Sequence, residues 1–111
     1  MNNEEVKPDL TIVYIAGPYR HKNLWGRVKN ILHARKYARK YWQMGYYVIC
    51  PHMNTALADA WGSSDLFLKG YLHILSKCDI LVTIPGWYKS CGSRDEVDYA
   101  NRHGIKVIHD S

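Results

Sequence analysis

The 111-residue sequence has no hydrophobic run long enough to form a membrane helix. Such a helix requires about 20 consecutive apolar residues, whereas the longest candidate, residues 80–84, is short and is interrupted by Thr83. The amino terminus is polar and acidic, which differs from the basic and then apolar plan of a signal peptide. We therefore predict a cytoplasmic protein without a membrane partner.

Cysteine is scarce, with three residues scattered along the chain at Cys50, Cys78 and Cys91. An odd number of cysteines without a CxxC pair is typical of reduced thiols and argues against a disulfide framework. The same pattern lacks the ligand spacing of a structural zinc site. The sequence also contains neither a GxGxxG motif nor a P-loop.

Acidic residues are absent between Asp9 and Asp59. The basic residues of this segment are Arg20, Lys22, Arg27, Lys29, Arg35, Lys36, Arg39 and Lys40. Such a positive field attracts nucleic acid, nucleotides or an acidic partner, although a solvated helix face is the plainer interpretation. A nucleic-acid partner is not favoured, because the basic residues share a helix with core-facing positions and no recognition motif accompanies them.

Short apolar runs alternate with helical patterns along the chain. The runs predict strands over residues 10–16, 46–50, 79–84 and 105–109. A first helix is predicted from apolar residues at helical spacing, namely Val28, Ile31, Ala34 or Arg35, Ala38, Tyr41 and Trp42. It ends at Gly45, a second helix begins at Ser64, and a third covers residues 93–103, before Gly104.

This alternation predicts an α/β fold, a single-domain doubly wound parallel sheet of four or five strands with helices on both faces, flavodoxin- or Rossmann-like. The length fits one domain, which we place at residues 10–111 after a flexible tail at residues 1–9. Ligands bind such sheets at the carboxyl ends of the strands, near the switch point in strand order. Three loops fall there, at residues 17–26, 51–63 and 85–92.

In the first of these loops, Gly17 and Pro18 close the strand and Arg20 follows. Glycine lets a ligand approach the backbone, and arginine can bind a phosphate with two hydrogen bonds. An ordinary Gly-Pro turn with an exposed arginine explains the same residues.

The third loop leads into a helix and carries Ser90, Gly92 and Ser93. Hydroxyl groups and the positive end of a helix can hold an anionic group there, with Glu96 in the first turn. The alternative, favoured by spacing alone, is a capping box in which Ser93 caps the helix and Glu96 satisfies a backbone N–H.

Five other residues are candidates with plain alternatives. Asp65 begins the second helix, where the helix dipole favours a carboxylate, and Tyr71 lies on an apolar stripe as a core tyrosine would. His52 and Asn54 could hydrogen-bond a base or sugar from the second loop. Trp87 could stack on a base or anchor its loop.

Together the segments resemble the nucleoside 2-deoxyribosyltransferase-like superfamily, which includes deoxynucleoside 5′-monophosphate N-glycosidases and small phage and bacterial relatives. The matching segments, in order, are residues 14–20 (YIAGPYR), 45–51 (GYYVICP), 78–87 (CDILVTIPGW) and 90–96 (SCGSRDE), followed by Ala100 and residues 104–107 (GIKV). They span nearly the whole chain after the tail, from residue 14 to residue 107.

The resemblance implies that Glu96 attacks the anomeric carbon of a 2-deoxyribosyl group and forms a covalent glycosyl-enzyme, as in a retaining glycosidase. It implies that Tyr14 lies close to Glu96 and orients it. Ser90 matches the serine by which the monophosphate hydrolases bind the 5′-phosphate, where the plain transferases tend to have aspartate. Ser90, Arg20 and the basic segment therefore favour a nucleotide over a free nucleoside.

The sequence departs from the superfamily at the acid that protonates the leaving base. An aspartate is usual eight residues before the aspartate that precedes the third strand, and this position is Tyr71 here. A phenol is a weaker acid than a carboxylic group, so either Asp65 or Tyr71 is the candidate acid.

We therefore expect cleavage or transfer at the N-glycosidic bond of a (deoxy)nucleoside 5′-monophosphate. The alternative is a non-catalytic nucleotide-binding or sensor module of the same fold. No metal or organic cofactor is expected, because the carboxylate supplies the chemistry. The resemblance also implies a homodimer or higher homo-oligomer.

Overall fold

The computed structural model describes residues 11–19, 23–54 and 64–111. Its strands are β1 (Ile12–Ala16), β2 (Tyr47–Ile49), β3 (Ile80–Thr83) and β4 (Lys106–His109). Its helices are α1 (Leu24–Gln43), the single turn α2 (Pro51–Asn54), α3 (Ser64–Leu75) and α4 (Cys91–Arg102), with a 3-10 turn at Trp87–Lys89. The predicted tail at residues 1–9 lies outside the described residues.

The strands form one parallel sheet in the order β2-β1-β3-β4. Tyr14 of β1 pairs with Ile49 of β2 on one side and with Leu81 of β3 on the other. The predicted doubly wound α/β class is confirmed, with four strands in the described part of the chain. Because β1 has β2 and β3 as its two neighbours, the switch in strand order lies between β1 and β3.

Side chains alternate along the strands and fill two apolar layers, one on each face of the sheet. Val13 and Ile15 face α1, where they pack with Ala34, Tyr37 and other buried residues. Tyr14 and Ala16 face the opposite layer, which contains Leu75 of α3 and both Val97 and Ala100 of α4. The period of two residues in β1 therefore decides which side chains each helix meets.

The helix ends follow ordinary capping chemistry. The Asn23 side chain accepts a hydrogen bond of 2.7 Å from the Gly26 N–H and so caps α1. The predicted endings of α1 and α4 are confirmed, because Gly45 and Gly104 take φ values of 97° and 71° just after them. No helix of the described residues is long and apolar enough to cross a membrane.

The core-facing side of α1 differs from the prediction at its end. Trp42 was expected on the apolar stripe, but it is 52% exposed and packs edge-on against Tyr47 of β2. Tyr41 is buried as expected, and Tyr37, which the prediction did not include, is buried as well. Both tyrosines share a buried helix face with Ala34 and Ala38, whose small side chains allow α1 to approach the sheet closely.

The carboxyl ends of β1 and β3 approach each other at Gly17 and Ile84. A Cβ atom on Gly17 would lie 2.6 Å from Cδ1 of Ile84 and closer still to its Cγ1. Ile84 is fully buried, so it has little room to move. Gly17 is therefore needed for close packing at the switch point, beside any role toward a ligand.

We expect Gly17→Ala to destabilise the fold by about 1–3 kcal/mol, because it overpacks this contact. Gly70→Ala is the matched control, since Gly70 lies inside α3 and a Cβ there meets nothing within 4 Å. That change should stabilise the fold by about 0.5–1 kcal/mol, because alanine favours the helix. Urea unfolding measures the change in the free energy of unfolding for both variants. A Gly17→Ala protein as stable as wild type would contradict the packing argument.

Candidate active site

A crevice of about 920 Å³ opens at the switch point between β1 and β3. Its walls come from the segment after β1, from α1 and α2, from the first two turns of α3, from the segment that joins β3 to α4 and from the start of α4. All three loops predicted to carry chemistry contribute to these walls. The structure describes residues 17–26 and 51–63 in part and residues 85–92 throughout. This is the edge at which doubly wound sheets bind ligands.

The central contact of the crevice is a hydrogen bond from the Tyr14 hydroxyl to Oε2 of Glu96. Tyr14 is 0% exposed and Glu96 is 8% exposed, and Glu96 lines the crevice. The two residues meet because Tyr14 points from β1 toward the layer in which α4 packs. The structure therefore brings together the two residues for which the resemblance implies contact.

Both members of this pair have raised pKa values. Burial raises the pKa of Glu96 to about 7, the hydrogen bond from Tyr14 opposes the rise, and the negative charge of Asp95 adds to it. Burial, and then the negative charge of Glu96, hold the pKa of Tyr14 well above its ordinary value. Tyr14 therefore stays protonated and donates, while Glu96 changes its charge near neutral pH.

The capping-box interpretation of Ser93 and Glu96 is wrong. The helix begins at Cys91, and its N-cap is Ser90, whose Oγ accepts a 3.2 Å hydrogen bond from the Ser93 N–H. The Ser93 hydroxyl donates instead to the Gly17 carbonyl at 2.9 Å, and it is buried. With Ser90 as the cap, Glu96 lies in the second turn and is free to reach Tyr14.

Polar side chains hold the carbonyls at the ends of β1 and β3. Nε2 of His52 donates to the Pro18 carbonyl at 2.9 Å, and Asn30 of α1 donates to the Tyr19 carbonyl at 3.1 Å. Nε2 of His33, also in α1, donates to the Pro85 carbonyl at 3.2 Å. The rim of the crevice is thus fixed by side chains of α1 and α2.

His52 was predicted to hydrogen-bond a base or sugar, and the structure gives its ring another role. Its Nε2 bonds Pro18, and its Nδ1 lies 4.0 Å from the Cys50 thiol. Burial lowers the pKa of His52, against the opposing hydrogen bonds to Pro18 and Gly17. The neutral ring therefore supports the β1 loop through Nε2, and because His52 also lines the crevice, its contact with a base or sugar stays a prediction.

Both candidate acids line the crevice. Asp65 is exposed in the first turn of α3, where the helix dipole also favours it. Tyr71 is buried in the apolar layer, as its plain interpretation predicts, and its ring stands edge-on to that of Tyr14 with centroids 6.5 Å apart. Tyr71 thus combines a core position with access to the crevice.

The remaining candidates divide between the crevice and other places. Gly17, Pro18, Ser90, Gly92 and Ser93 line the crevice. Trp87 does not line it. Its ring stacks on His109 at 5.3 Å and packs on the apolar layer, so it anchors the loop. Arg20 and the Asn54 side chain lie outside the described residues.

The prediction missed several residues that line the crevice, above all Asp95 and Lys89. Both lie in or beside the loop at residues 85–92, so their position at the carboxyl edge was a usable signal. Asn30 and His33 gave no such signal, because they belong to α1 and reach the rim only through the packing of that helix. Within the described residues, no group of three or more His, Cys, Asp or Glu could hold a metal ion.

Residues 11–110 match the model of a family described as Domain of unknown function (DUF7768). The fold is similar to that of the 2-deoxyribosyltransferase from the psychrotolerant bacterium Bacillus psychrosaccharolyticus, a biocatalyst for nucleoside synthesis. The TM-score is 0.63 and the identity is 22%, over 88% of this chain and 70% of the enzyme. No curated protein matches the chain.

A second solved structure, of a conserved protein from Enterococcus faecalis V583, has a TM-score of 0.57 and 20% identity. The match covers 89% of this chain but 62% of that one, so this chain spans less than two thirds of its length. At these identities, the two likenesses establish a shared fold.

We expect the burial of Glu96 to make stability depend on pH. Its pKa is raised from 4.5 to about 7 in the folded chain, so between these values the unfolded chain releases a proton that the folded chain retains. The proton retained on Glu96 adds to the free energy of unfolding. This contribution is fully present below pH 4.5 and is lost by about pH 7, so the free energy of unfolding falls by on the order of 3 kcal/mol.

Glu96→Gln should remove this decline, because glutamine is neutral throughout. The difference in unfolding free energy between Glu96→Gln and wild type should therefore increase in favour of the variant from pH 4.5 to pH 7.5 in urea titrations. In Tyr14→Phe, which loses the hydrogen bond that lowers the Glu96 pKa, the decline should extend to higher pH. A difference that is flat with pH would show that Glu96 titrates normally.

Proposed function

The chain belongs to the domain family DUF7768, and we propose that it cleaves, or transfers at, the N-glycosidic bond of a (deoxy)nucleoside 5′-monophosphate. The observation that carries this proposal is the buried hydrogen bond from Tyr14 to Glu96 on the wall of the crevice. It presents the Glu96 carboxylate, oriented by one donor, to a space of about 920 Å³ that is large enough for a nucleotide. The fold shared with a 2-deoxyribosyltransferase supports the same class of reaction.

In the first step, the ionised Glu96 carboxylate attacks the anomeric carbon. The C–N bond to the base breaks, its electron pair leaves with the base, and a glycosyl ester forms on Glu96. Tyr14 donates to Oε2 and so leaves the other carboxylate oxygen for the sugar. Its hydrogen bond also lowers the pKa of Glu96, which favours the reactive ionised form.

In the second step, water or a second base attacks the same carbon. The ester bond breaks, Glu96 recovers its carboxylate, and the sugar is released or transferred. A proton from the attacking water or base passes to solvent or to the group that protonated the first base. The carboxylate supplies this chemistry without a cofactor.

Asp65 and Tyr71 are the proposed sources of the proton for the leaving base. Both line the crevice, Asp65 from the exposed first turn of α3 and Tyr71 from beside Tyr14. Comparison of Asp65→Asn with Tyr71→Phe distinguishes them. The variant that lacks the acid should lose turnover most for substrates whose base is a poor leaving group.

In this proposal, the 5′-phosphate binds at the start of α4. Cys91 and Gly92 are its first two residues and line the crevice, and the first N–H groups of a helix have no partner within it. Ser90 and Ser93 shape this end through their own hydrogen bonds. Gly17 supplies the carbonyl that Ser93 binds, and Arg20 remains the proposed arginine for the phosphate.

Nucleotide binding without turnover is the second candidate function. It is favoured by Tyr71, a buried phenol at the position where the superfamily usually has a carboxylic acid. Such a module would bind the nucleotide in the same crevice and release no base. Assembly into a homodimer or higher homo-oligomer stays a prediction in both cases.

We expect wild type to release free base from one or more nucleoside 5′-monophosphates, as measured by chromatography. Glu96→Gln should lower this rate by about 1,000-fold or more, because the nucleophile is lost. Asp98→Asn is the matched control. Asp98 is an exposed carboxylate of α4 that bonds Arg102 at 3.1 Å, and its loss should leave the rate unchanged.

Two results would contradict glycosidic chemistry through Glu96. One is base release by a folded Glu96→Gln protein at the wild-type rate. The other is a wild type that releases no base from any common nucleotide but is stabilised by one of them against heat, which would establish the binding module.

The pH dependence of turnover should report the ionisation of Glu96. We expect kcat/KM to rise about tenfold per pH unit in the acidic range and to level off above about pH 7, the pKa of Glu96. Tyr14→Phe should move the midpoint to higher pH. A profile that levels off near pH 4.5 would exclude the buried form of Glu96 as the nucleophile.

A further inference from the structure

Lys89 differs in charge from the other ionisable groups of the crevice. Among the described lining residues, the carboxylates are Asp65, Asp95 and Glu96, and Lys89 is the single lysine or arginine. From the described residues, an anionic ligand in this space meets three acidic groups and one lysine.

The balance of these described groups opposes a phosphorylated ligand, and Lys89 is the described cation that offsets it, beside the proposed Arg20. Like charges that lie close together repel, and the repulsion is several times stronger near a protein surface than in bulk water. A 5′-phosphate adds about two negative charges to a crevice that already holds carboxylates. A free nucleoside adds none, so a cation matters for one substrate and not for the other.

The position of Lys89 suits contact with a phosphate at the start of α4. It ends the 3-10 turn Trp87–Lys89 and directly precedes Ser90, the N-cap of α4. Its backbone N–H bonds the Gly86 carbonyl at 3.0 Å, which fixes the turn. Its side chain is exposed, and Nζ lies 6.0 Å from the centroid of the Tyr88 ring.

The neighbouring cation, Arg94, is already engaged. Its guanidinium donates to the Tyr88 carbonyl at 2.7 Å and to the Cys91 sulfur at 3.1 Å. Arg94 does not line the crevice and braces the turn from outside. The ammonium of Lys89 is thus better placed than Arg94 to reach a ligand.

We propose that Lys89 is the specificity-determining residue that makes the crevice select a 5′-phosphorylated substrate over the free nucleoside, an inference that rests on the proposed function. The ammonium contacts the phosphate oxygens as a charge-assisted donor and offsets the repulsion from the three carboxylates. It takes no part in breaking the glycosidic bond.

Lys89→Met tests the inference, because methionine keeps an unbranched side chain without the charge. Lys77→Met is the matched control. Lys77 is an exposed lysine in the turn that precedes β3, at the opposite end of the sheet from the crevice. Lys89→Arg retains the charge and should rescue the effect. Each protein is assayed with a 2′-deoxynucleoside and with its 5′-monophosphate.

Lys89→Met should lower kcat/KM for the monophosphate by about 10- to 100-fold, chiefly through KM. Its kcat/KM for the nucleoside should stay within about twofold of wild type, since no charge contact is lost there. Lys77→Met should change neither value. If Lys89 had a merely structural role, Lys89→Met would lower kcat/KM for both substrates alike. That result would overturn the inference.

Binding without turnover separates this inference from the proposed function. The probes are 2-deoxyribose 5-phosphate and 2-deoxyribose, and the measurement is the shift in melting temperature. A shift by the phosphorylated sugar that disappears in Lys89→Met supports the inference even where no base is ever released. An equal shift in wild type and Lys89→Met, or no preference of wild type for the phosphorylated sugar, overturns it.

Discussion

The arrangement of this domain depends on the burial of one carboxyl group. An unpartnered carboxylate inside a protein is strongly unfavourable, so a buried glutamate needs a donor or a proton. Here the donor is the hydroxyl of Tyr14, fully buried on the central strand β1. The contact requires α4 to lie directly on β1, and Ala16 and Ala100 in the same layer have side chains small enough to permit it.

A second constraint acts at the carboxyl ends of the strands, where the crevice lies. It is the need of the backbone carbonyls there for hydrogen-bond donors. Buried or half-buried carbonyls at this edge need donors. The side chain of Ser93 donates to the Gly17 carbonyl, that of His52 to the Pro18 carbonyl and that of Asn30 to the Tyr19 carbonyl. Because these donors come from α4, α2 and α1, the segment after β1 is fixed against three helices at the edge of the crevice. The same bonds occupy Nε2 of His52 and the hydroxyl hydrogen of Ser93.

The fold could be predicted from the sequence because its signals are local. Apolar runs that stop at Gly-Pro or Pro-Gly define β1 and β3, and alternation with helices implies a parallel sheet. The face that each aromatic side chain takes is not local information. Trp42 and Tyr41 are adjacent in the sequence, and only the packing of α1 on the sheet decides that Tyr41 is buried.

The prediction missed Ser90 as the N-cap of α4 for a related reason. Ser90 and Ser93 can each cap a helix, and Ser93 with Glu96 has the capping-box spacing. Tertiary contacts decide between them, since Glu96 bonds Tyr14 and Ser93 bonds Gly17. The crevice itself was predictable from the switch point. Its contributions from Asn30 and His33 were not, because they depend on the angle at which α1 crosses the sheet.

The Tyr14–Glu96 pair is better suited to chemistry than to stability. A structural carboxylate is held most favourably by a cation, which lowers its pKa and adds to the free energy of unfolding at neutral pH. Glu96 has a neutral phenol as its partner, and its pKa is about 7. At neutral pH its burial therefore opposes folding, and an apolar pair would fill the same space without that penalty. A carboxyl group with this pKa, oriented by one donor and facing a cavity, has the properties that a nucleophile or base requires.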